Sequence, residues 1–468
     1  MKIYHICSFF LYSLRKILYN KTENKNEERR VWLFKLLNIS YKRNMNYTKT
    51  EIKQGINLHN INTNKFKTNL FAVFLATPLT RENVTKTALL AAVLRRGTNN
   101  IKSQDLISKK LEEMYGASFD CGIEKTGDNH IIKFYLEAIN EDFLPQKEEL
   151  NKKSIDILFD IIFNPLAQNG EFNAEYVESE KAKLKQIIEG KIDNKRAYSF
   201  ERCIEEMFKG EAYGLYKFGY IEDLEKITAK NLYAYYKELL QRCKIDIFVS
   251  GNFENNNINE IIKNNEEISK LEERNPEYIV NKEEAEVRKA EKEKVVEEKM
   301  KVGQGNLVIG LSLNSRMENE KFVASVYNAI LGGGANSKLF QNVREKNSLA
   351  YTAGSTFRRQ KNTIFVRCGI EIDNYNKALE TIKEQIEDMK NGEFTTEDIE
   401  NAKKLIIASV KGISSEQDTE ITYYYGQELS DSFTSIEEYI DKISKVSKDN
   451  LLELAKEVWI NTIYFLRD

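Results

Sequence analysis

The chain states nearly the same pattern twice, and this repetition limits its fold more than any single motif does. Leu111-Glu-Glu-Met-Tyr-Gly-Ala-Ser-Phe119 parallels Ser348-Leu-Ala-Tyr-Thr-Ala-Gly-Ser-Thr-Phe357, and each is followed by a turn and an apolar strand. Ahead of the first copy stand an apolar strand, Leu70 to Leu75, a helix from Thr80 to Arg96 with Thr80 as N-cap, and a second helix from Ser103 through Met114. Ahead of the second stand a strand from Gly303 to Leu313, a helix from Lys321 to Leu331 and a short helix from Ser337 to Glu345. The first hairpin turns at Gly127-Asp128; the second pairs Ala350–Phe357 with Asn362–Ile372. Helices and a closing strand then follow in both halves: Asn173 to Met207 as one long helix and Ile245 to Gly251 in the first, and five helices between Tyr375 and Val458 with Tyr464 to Leu466 in the second. Only 4 prolines interrupt the 468 residues, so long helices can run. An internal duplication of this kind predicts an α+β protein of two tandem, homologous domains, each a mainly antiparallel sheet backed by helices.

The expected divisions follow from composition. Residues 65–255 form the first domain, 256–300 a charged connector dense in Glu and Lys, and 301–468 the second domain. Residues 1–64 are expected as an extension and lead-in, partly disordered, with Met45 the natural start of the folded protein. Ile3 to Leu14 is apolar but too short to span a bilayer, and Arg15-Lys16 stands where a signal peptide would place small residues. A membrane-surface anchor is the alternative for this stretch.

Bulk chemistry narrows the function. A net charge of -2, from 70 basic and 72 acidic residues, gives no pull toward nucleic acid, and no basic stripe with interleaved aromatics occurs. Cys7, Cys121, Cys203, Cys243 and Cys368 are scattered without a C-x-x-C pair, as expected of reduced, mostly buried thiols in a cytoplasmic protein. Cys203 beside Arg202 has no histidine that sequence can place near it, so a catalytic thiol is not expected. The 3 histidines, His5, His59 and His130, are far apart, which excludes two imidazoles on one helical face. Gly332-Gly-Gly334 lacks the Gly-Lys-Ser/Thr of a phosphate loop; the glycines suit a helix end that approaches a neighbouring backbone. Arg95-Arg96 suits the negative end of the preceding helix, with an acidic partner as the alternative. Tyr423-Tyr-Tyr425 suits either an interface or a core.

Thr87-Ala-Leu-Leu-Ala-Ala-Val-Leu-Arg-Arg-Gly-Thr98 resembles the metal helix of the pitrilysin-like (M16) metallopeptidases. That family carries His-x-x-Glu-His before a basic residue, Gly and Thr. Aligned on Arg96-Gly97-Thr98, the two histidines fall on Ala88 and Ala92 and the glutamate on Ala91. The family's third ligand, a Glu on the following long helix, falls on Ile187, with Glu189 about half a turn away. The resemblance thus implies no metal, no cofactor and no catalysis by this chain.

The second half carries the family's other motif. Ile330-Leu-Gly-Gly-Gly-Ala-Asn-Ser-Lys-Leu-Phe-Gln-Asn-Val-Arg344, completed by Leu349-Ala-Tyr351, is similar to its Gly cluster, Ser-x-Leu-Phe and Arg-Glu. In active relatives an Arg and a Tyr at this spacing face the substrate, so the likeness makes Arg344 and Tyr351 substrate-binding candidates and Gly332, Gly333 and Gly334 the accompanying segment. Pairing of Arg344 with a nearby acid and burial of Tyr351 in a core is the plainer reading. Within the family the chain resembles the metal-less bacterial branch associated with lysine modification of elongation factor P. This implies a non-catalytic subunit that binds peptide or protein and pairs with a zinc-containing M16 paralogue. The alternatives are a pure scaffold with no role in proteolysis and, third, an active peptidase with an atypical metal site.

Overall fold

The computed structural model describes residues 46–253, 257–280, 292–314, 317 and 319–468. The proposed extension over residues 1–44, with Cys7 and His5, lies outside the described residues, as does the middle of the connector.

In the first half the elements are β1 (Tyr47–Lys53), β2 (Ile56–Asn62), β3 (Thr68–Pro78), α1 (Val84–Leu94), α2 (Gln104–Glu113), β4 (Ser118–Thr126), β5 (Asn129–Ile139), α3 (Leu150–Phe163), α4 (Ala174–Glu189), α5 (Lys195–Met207), α6 (Ala229–Arg242) and β6 (Lys244–Gly251). The second half has β7 (Lys294–Lys299), β8 (Gly305–Leu313), α7 (Glu320–Gly332), a wide π-type turn (Phe340–Lys346), β9 (Ala350–Arg358), β10 (Thr363–Ile370), α8 (Tyr375–Asn391), α9 (Thr396–Gly412), α10 (Gln417–Glu428), α11 (Ile436–Ser444), α12 (Lys448–Lys456) and β11 (Val458–Arg467).

The duplication is plain in the sheets. The first has the order β1-β2-β6-β3-β5-β4, and the second, read from its far edge, β7-β11-β8-β10-β9. The parallel pair β2–β6 matches the parallel pair β7–β11, and the antiparallel pairs β3–β6, β3–β5 and β4–β5 match β8–β11, β8–β10 and β9–β10. Each sheet buries one face against its own helices. Phe71, Val73 and Leu75 of β3 pack with Leu89, Leu90 and Leu94 of α1, while Leu307, Ile309 and Leu311 of β8 pack with Val323, Val326 and Tyr327 of α7.

The opposite faces are covered by exchange. Phe200, Cys203 and Ile204 of α5, with Phe208 just after it, leave the first half and cover Val308, Phe365, Tyr464 and Leu466 of the second sheet. In return α10 lies on the first sheet. Tyr425 stacks on Phe74 at 3.9 Å between ring centroids, and Gln417 Nε2 donates to the Ser250 carbonyl at 2.8 Å. The tyrosine cluster is thus an interface and a core at once. Tyr425 faces the other half, while Tyr424 is stacked on Phe433.

Several boundaries differ from the sequence reading, for physical reasons. The long helix expected over 173–207 is two helices. A tight turn at Gly190–Ile192 ends the first, and the Asn194 side chain caps the second by accepting from the Ala197 amide at 3.1 Å. That break is what allows α5 to cross to the other sheet. Helix α1 begins at Val84 rather than Thr80, because the Thr80 carbonyl closes a turn onto Asn83 and Val84. Strands β1 and β2 fall inside residues 1–64, and β7, at the end of the connector, joins the second sheet. Two short helices, Ile258–Lys263 and Glu266–Lys270, bury Ile258, Ile262 and Ile268 in the first core.

Candidate functional site

Helix α1 is short, apolar and packed. Ala88 and Ala91 are 6% and 5% exposed, and Ala92 is half-buried. The Ala91 carbonyl accepts from Cys121 Sγ of β4 at 3.3 Å, so the helix backbone rests on the edge strand of the sheet. On α4, Ile187 is 46% exposed, and Glu189 is an exposed carboxylate 3.9 Å from Lys185. Glu180, on the same helix, is buried against Arg96 at 3.2 Å, and Arg96 also covers the Tyr176 ring. Arg96 therefore ties α1 to α4, and Arg95 is left at the helix end.

Zinc requires three or four N, O or S atoms converging at about 2.0–2.3 Å. By the resemblance, the three α1 positions carry the methyl groups of Ala88, Ala91 and Ala92 and the α4 position the sec-butyl group of Ile187. His59 and His130 are buried in β2 and β5. Burial and the nearby Lys217 charge hold the His130 imidazole down to about 3, so it is neutral. The residues present do not fit the ion, and no step of metal chemistry can be derived for them.

One group among the described residues does have metal-like spacing: His59, Asp246 and Glu428, with ligand atoms within 4.8 Å of one another. Its cation is already built in. Lys244 Nζ lies 3.2 Å from Asp246 Oδ2 and 2.7 Å from Glu428 Oε1, and Lys49 also reaches Glu428. Asp246 Oδ1 accepts from Asn57 at 3.1 Å and lies 3.0 Å from His59 Nε2. Burial alone would push the Asp246 carboxyl up, but Lys244 and His59 outweigh it and hold it far below its ordinary value. The network joins β2 and β6 of one half to α10 of the other. Sequence reasoning missed it. Its signal was there: a histidine inside the strand pattern Ile56–Asn62, and Lys244 and Asp246 at the head of the mostly apolar pattern Lys244–Gly251.

The second-half residues lie together along the rim of the second sheet. Gly332 ends α7 so close to β9 that a Cβ there would fall 2.5 Å from the Ser355 amide nitrogen. Arg344, on the π-type turn, is 42% exposed, lies over the Phe340 ring and is 3.5 Å from the adjacent Glu345. Tyr351, on β9, is 59% exposed and donates to Glu371 at 3.2 Å, which raises its phenol above the ordinary value. Tyr351 thus fills no core, and its ring is available at the sheet edge. The thiols are not: burial pushes Cys203, Cys243 and Cys368 each up to about 12.

Comparison with known proteins agrees with this geometry. The family model described as "Peptidase M16 inactive domain" matches residues 226–406. Over 421 residues the chain is 35% identical to a Bacillus subtilis protein described as "Probable inactive metalloprotease YmfF", covering 88% of this chain and 96% of that one. A crystal structure of a conserved protein from Enterococcus faecalis superposes with a TM-score of 0.82 at 29% identity, covering 90% of this chain and 98% of that one. The structure of a peptidase M16 inactive domain from Pseudomonas fluorescens shares the fold, with a TM-score of 0.73 at 17% identity and the same coverages of 90% and 98%. With likeness to inactive relatives over most of its length, the chain belongs to the M16 peptidase family as one of its inactive, non-catalytic members.

Proposed function

We propose that this protein is the peptide-holding, non-cutting partner in a pair of M16-type chains. The second chain, a zinc-containing paralogue, supplies the metal and its water. One observation carries the reading. By the resemblance, the family's chemical positions on α1 fall on methyl groups, while Arg344 and Tyr351 keep the family's residue types and stand exposed, Tyr351 on the edge strand β9 and Arg344 on the turn before it. An edge strand offers unpaired backbone groups to an extended peptide, and an exposed cation and phenol at its rim can fix that peptide's position. By its likeness to the metal-less bacterial branch, the pair would serve the lysine modification of elongation factor P in the cytoplasm. No described helix is long and apolar enough to cross a membrane, which is compatible with that placement.

Co-expression with a zinc-motif paralogue, followed by affinity capture and assay of peptide cleavage, tests the proposal. The expected result is a stable complex whose cleavage falls on Arg344→Ala or Tyr351→Phe while its assembly does not. No complex, together with unchanged activity in both variants, would sink it and leave the scaffold reading.

A further inference from the structure

Three arginines meet at the seam where α5 crosses the second sheet, and none has a carboxylate partner among the described residues. Arg358 and Arg367 both place their guanidinium groups over the Phe200 ring, at 5.5 and 5.1 Å from its centroid. Arg196, one turn ahead of Phe200 on α5, lines with Arg367 a cavity of about 560 Å³. Its other walls are Asn194 and Ala197 of α5, Asn306–Val308 of β8, Gly332, and Thr352–Ser355 of β9. That volume is within the range of small-ligand sites, about 300–1,000 Å³.

Like charges gathered without acids are costly for the free protein. Burial, with the charges of Arg358 and Arg196, pulls Arg367 below its ordinary value. Among the described residues, the Arg367 guanidinium donates its one side-chain hydrogen bond to Thr356 Oγ1 at 3.2 Å, a neutral acceptor. Several other arginines are paired with acids: Arg96 with Glu180, Arg202 with Glu205, Glu206 and Glu298, and Arg467 with Glu297. Along β10 every residue is buried except Arg367. A cation kept in that position, facing a cavity and two more cations, is arranged for an anion that arrives from outside.

The neighbouring backbone narrows the ligand. The cavity wall includes β9, the edge strand of its sheet, and Gly354 stands opposite Arg367 in the β9–β10 register. A free anion needs only the guanidinium groups. An edge strand beside them suits a chain that can add its own backbone while its side chains reach the cavity.

We propose that Arg196, Arg358 and Arg367 form a carboxylate-binding cradle that selects acidic peptides for docking along β9. This rests on the peptide-holding reading and adds the chemical class of the peptide. Guanidinium–carboxylate pairs are charge-assisted and often bidentate, so each should discriminate strongly against a neutral isostere.

The test is fluorescence anisotropy on the full chain with three labelled 12-residue peptides: one with alternating Glu, one with Gln in the same positions, and one with Lys. Inorganic phosphate serves as competitor. The Glu peptide is expected to bind, weakening as salt rises, and the Gln peptide to bind about tenfold or more weakly. Arg358→Gln with Arg367→Gln should remove that preference, while Lys152→Gln, at a distant exposed cation, should not. Because the double variant relieves repulsion, its thermal midpoint should stay the same or rise, so lost binding cannot be put down to unfolding. Equal binding of the Glu and Gln peptides, unaffected by the double variant, would overturn the cradle and leave the peptide-holding reading standing. Full displacement of the Glu peptide by phosphate, with no gain from peptide length, would overturn it in favour of a small-anion site. Binding of none of the peptides would overturn both.

Discussion

Tyr425 is where the exchange between the two halves can be measured. Its side chain is 5% exposed. The ring stacks on Phe74 with 13° between planes and meets Phe248 edge-on at 6.1 Å. Tyr425→Ala deletes a fully packed aromatic ring, which costs about 3–5 kcal/mol in comparable cores. Of that, about 0.5–1.5 kcal/mol belongs to the ring–ring geometry. The hydroxyl behaves oppositely. It is buried with no hydrogen-bond partner among the described residues, and burial raises it well above its ordinary value. An unsatisfied buried hydroxyl costs about 1–3 kcal/mol, so Tyr425→Phe should raise stability by about 1 kcal/mol. Urea unfolding followed by far-UV circular dichroism and by tryptophan fluorescence is the assay, in a Trp32→Phe background that leaves Trp459 as the single tryptophan. Trp459 lies on β11, in the other half from the sheet that Tyr425 covers. Each half lends a helix to the other, so both probes should lose stability together in Tyr425→Ala. A loss under about 1 kcal/mol on Tyr425→Ala, a destabilised Tyr425→Phe, or a first transition invisible to Trp459 would refute the reasoning.

Other consequences can be checked more briefly. The buried network gives stability an acid limb. Asp246 and Glu428 are held below their unfolded values of 3.8 and 4.5, so their contribution is full above those values and is lost as pH falls through the depressed folded ones. Lys244 is raised above 10.5, so its contribution holds below that value and is lost only in stronger alkali. Asp246→Asn should therefore cost about 3–5 kcal/mol at pH 7 and flatten the difference between urea midpoints at pH 7 and pH 3.5. Gly332→Ala, whose Cβ would sit 2.5 Å from a strand nitrogen, should lower stability by about 1–3 kcal/mol in the same assay. Native protein at pH 8 should leave Cys203, Cys243 and Cys368 unmodified by a thiol reagent, with labelling only after denaturation, read by mass spectrometry of the peptides.

The repetition of strand, helix and hairpin was open to reading because it is local: apolar periodicity and turn residues mark each unit without reference to the other. The same holds for α1. The identity of Ala88, Ala91 and Ala92 disposes of metal ligation at those positions whatever surrounds them, since a methyl group donates no electron pair. The break between α4 and α5 was harder to see. Apolar spacing continues across Gly190 to Asn194, and only the capping geometry and the destination of α5 reveal two helices.

Placement across the halves needed the tertiary structure. Lys244, Asp246, His59 and Glu428 are up to 369 positions apart, from His59 to Glu428, and their meeting depends on which sheet α10 covers. Arg196 likewise gains its neighbours Arg358 and Arg367 only because α5 crosses over. Sequence alone determined the repeated α+β unit and the lack of a donor atom at positions 88, 91 and 92, because periodicity and side-chain identity are properties of short stretches. Which charges face one another was decided by the exchange of helices, because electrostatics acts through distance in space and that distance is set by packing.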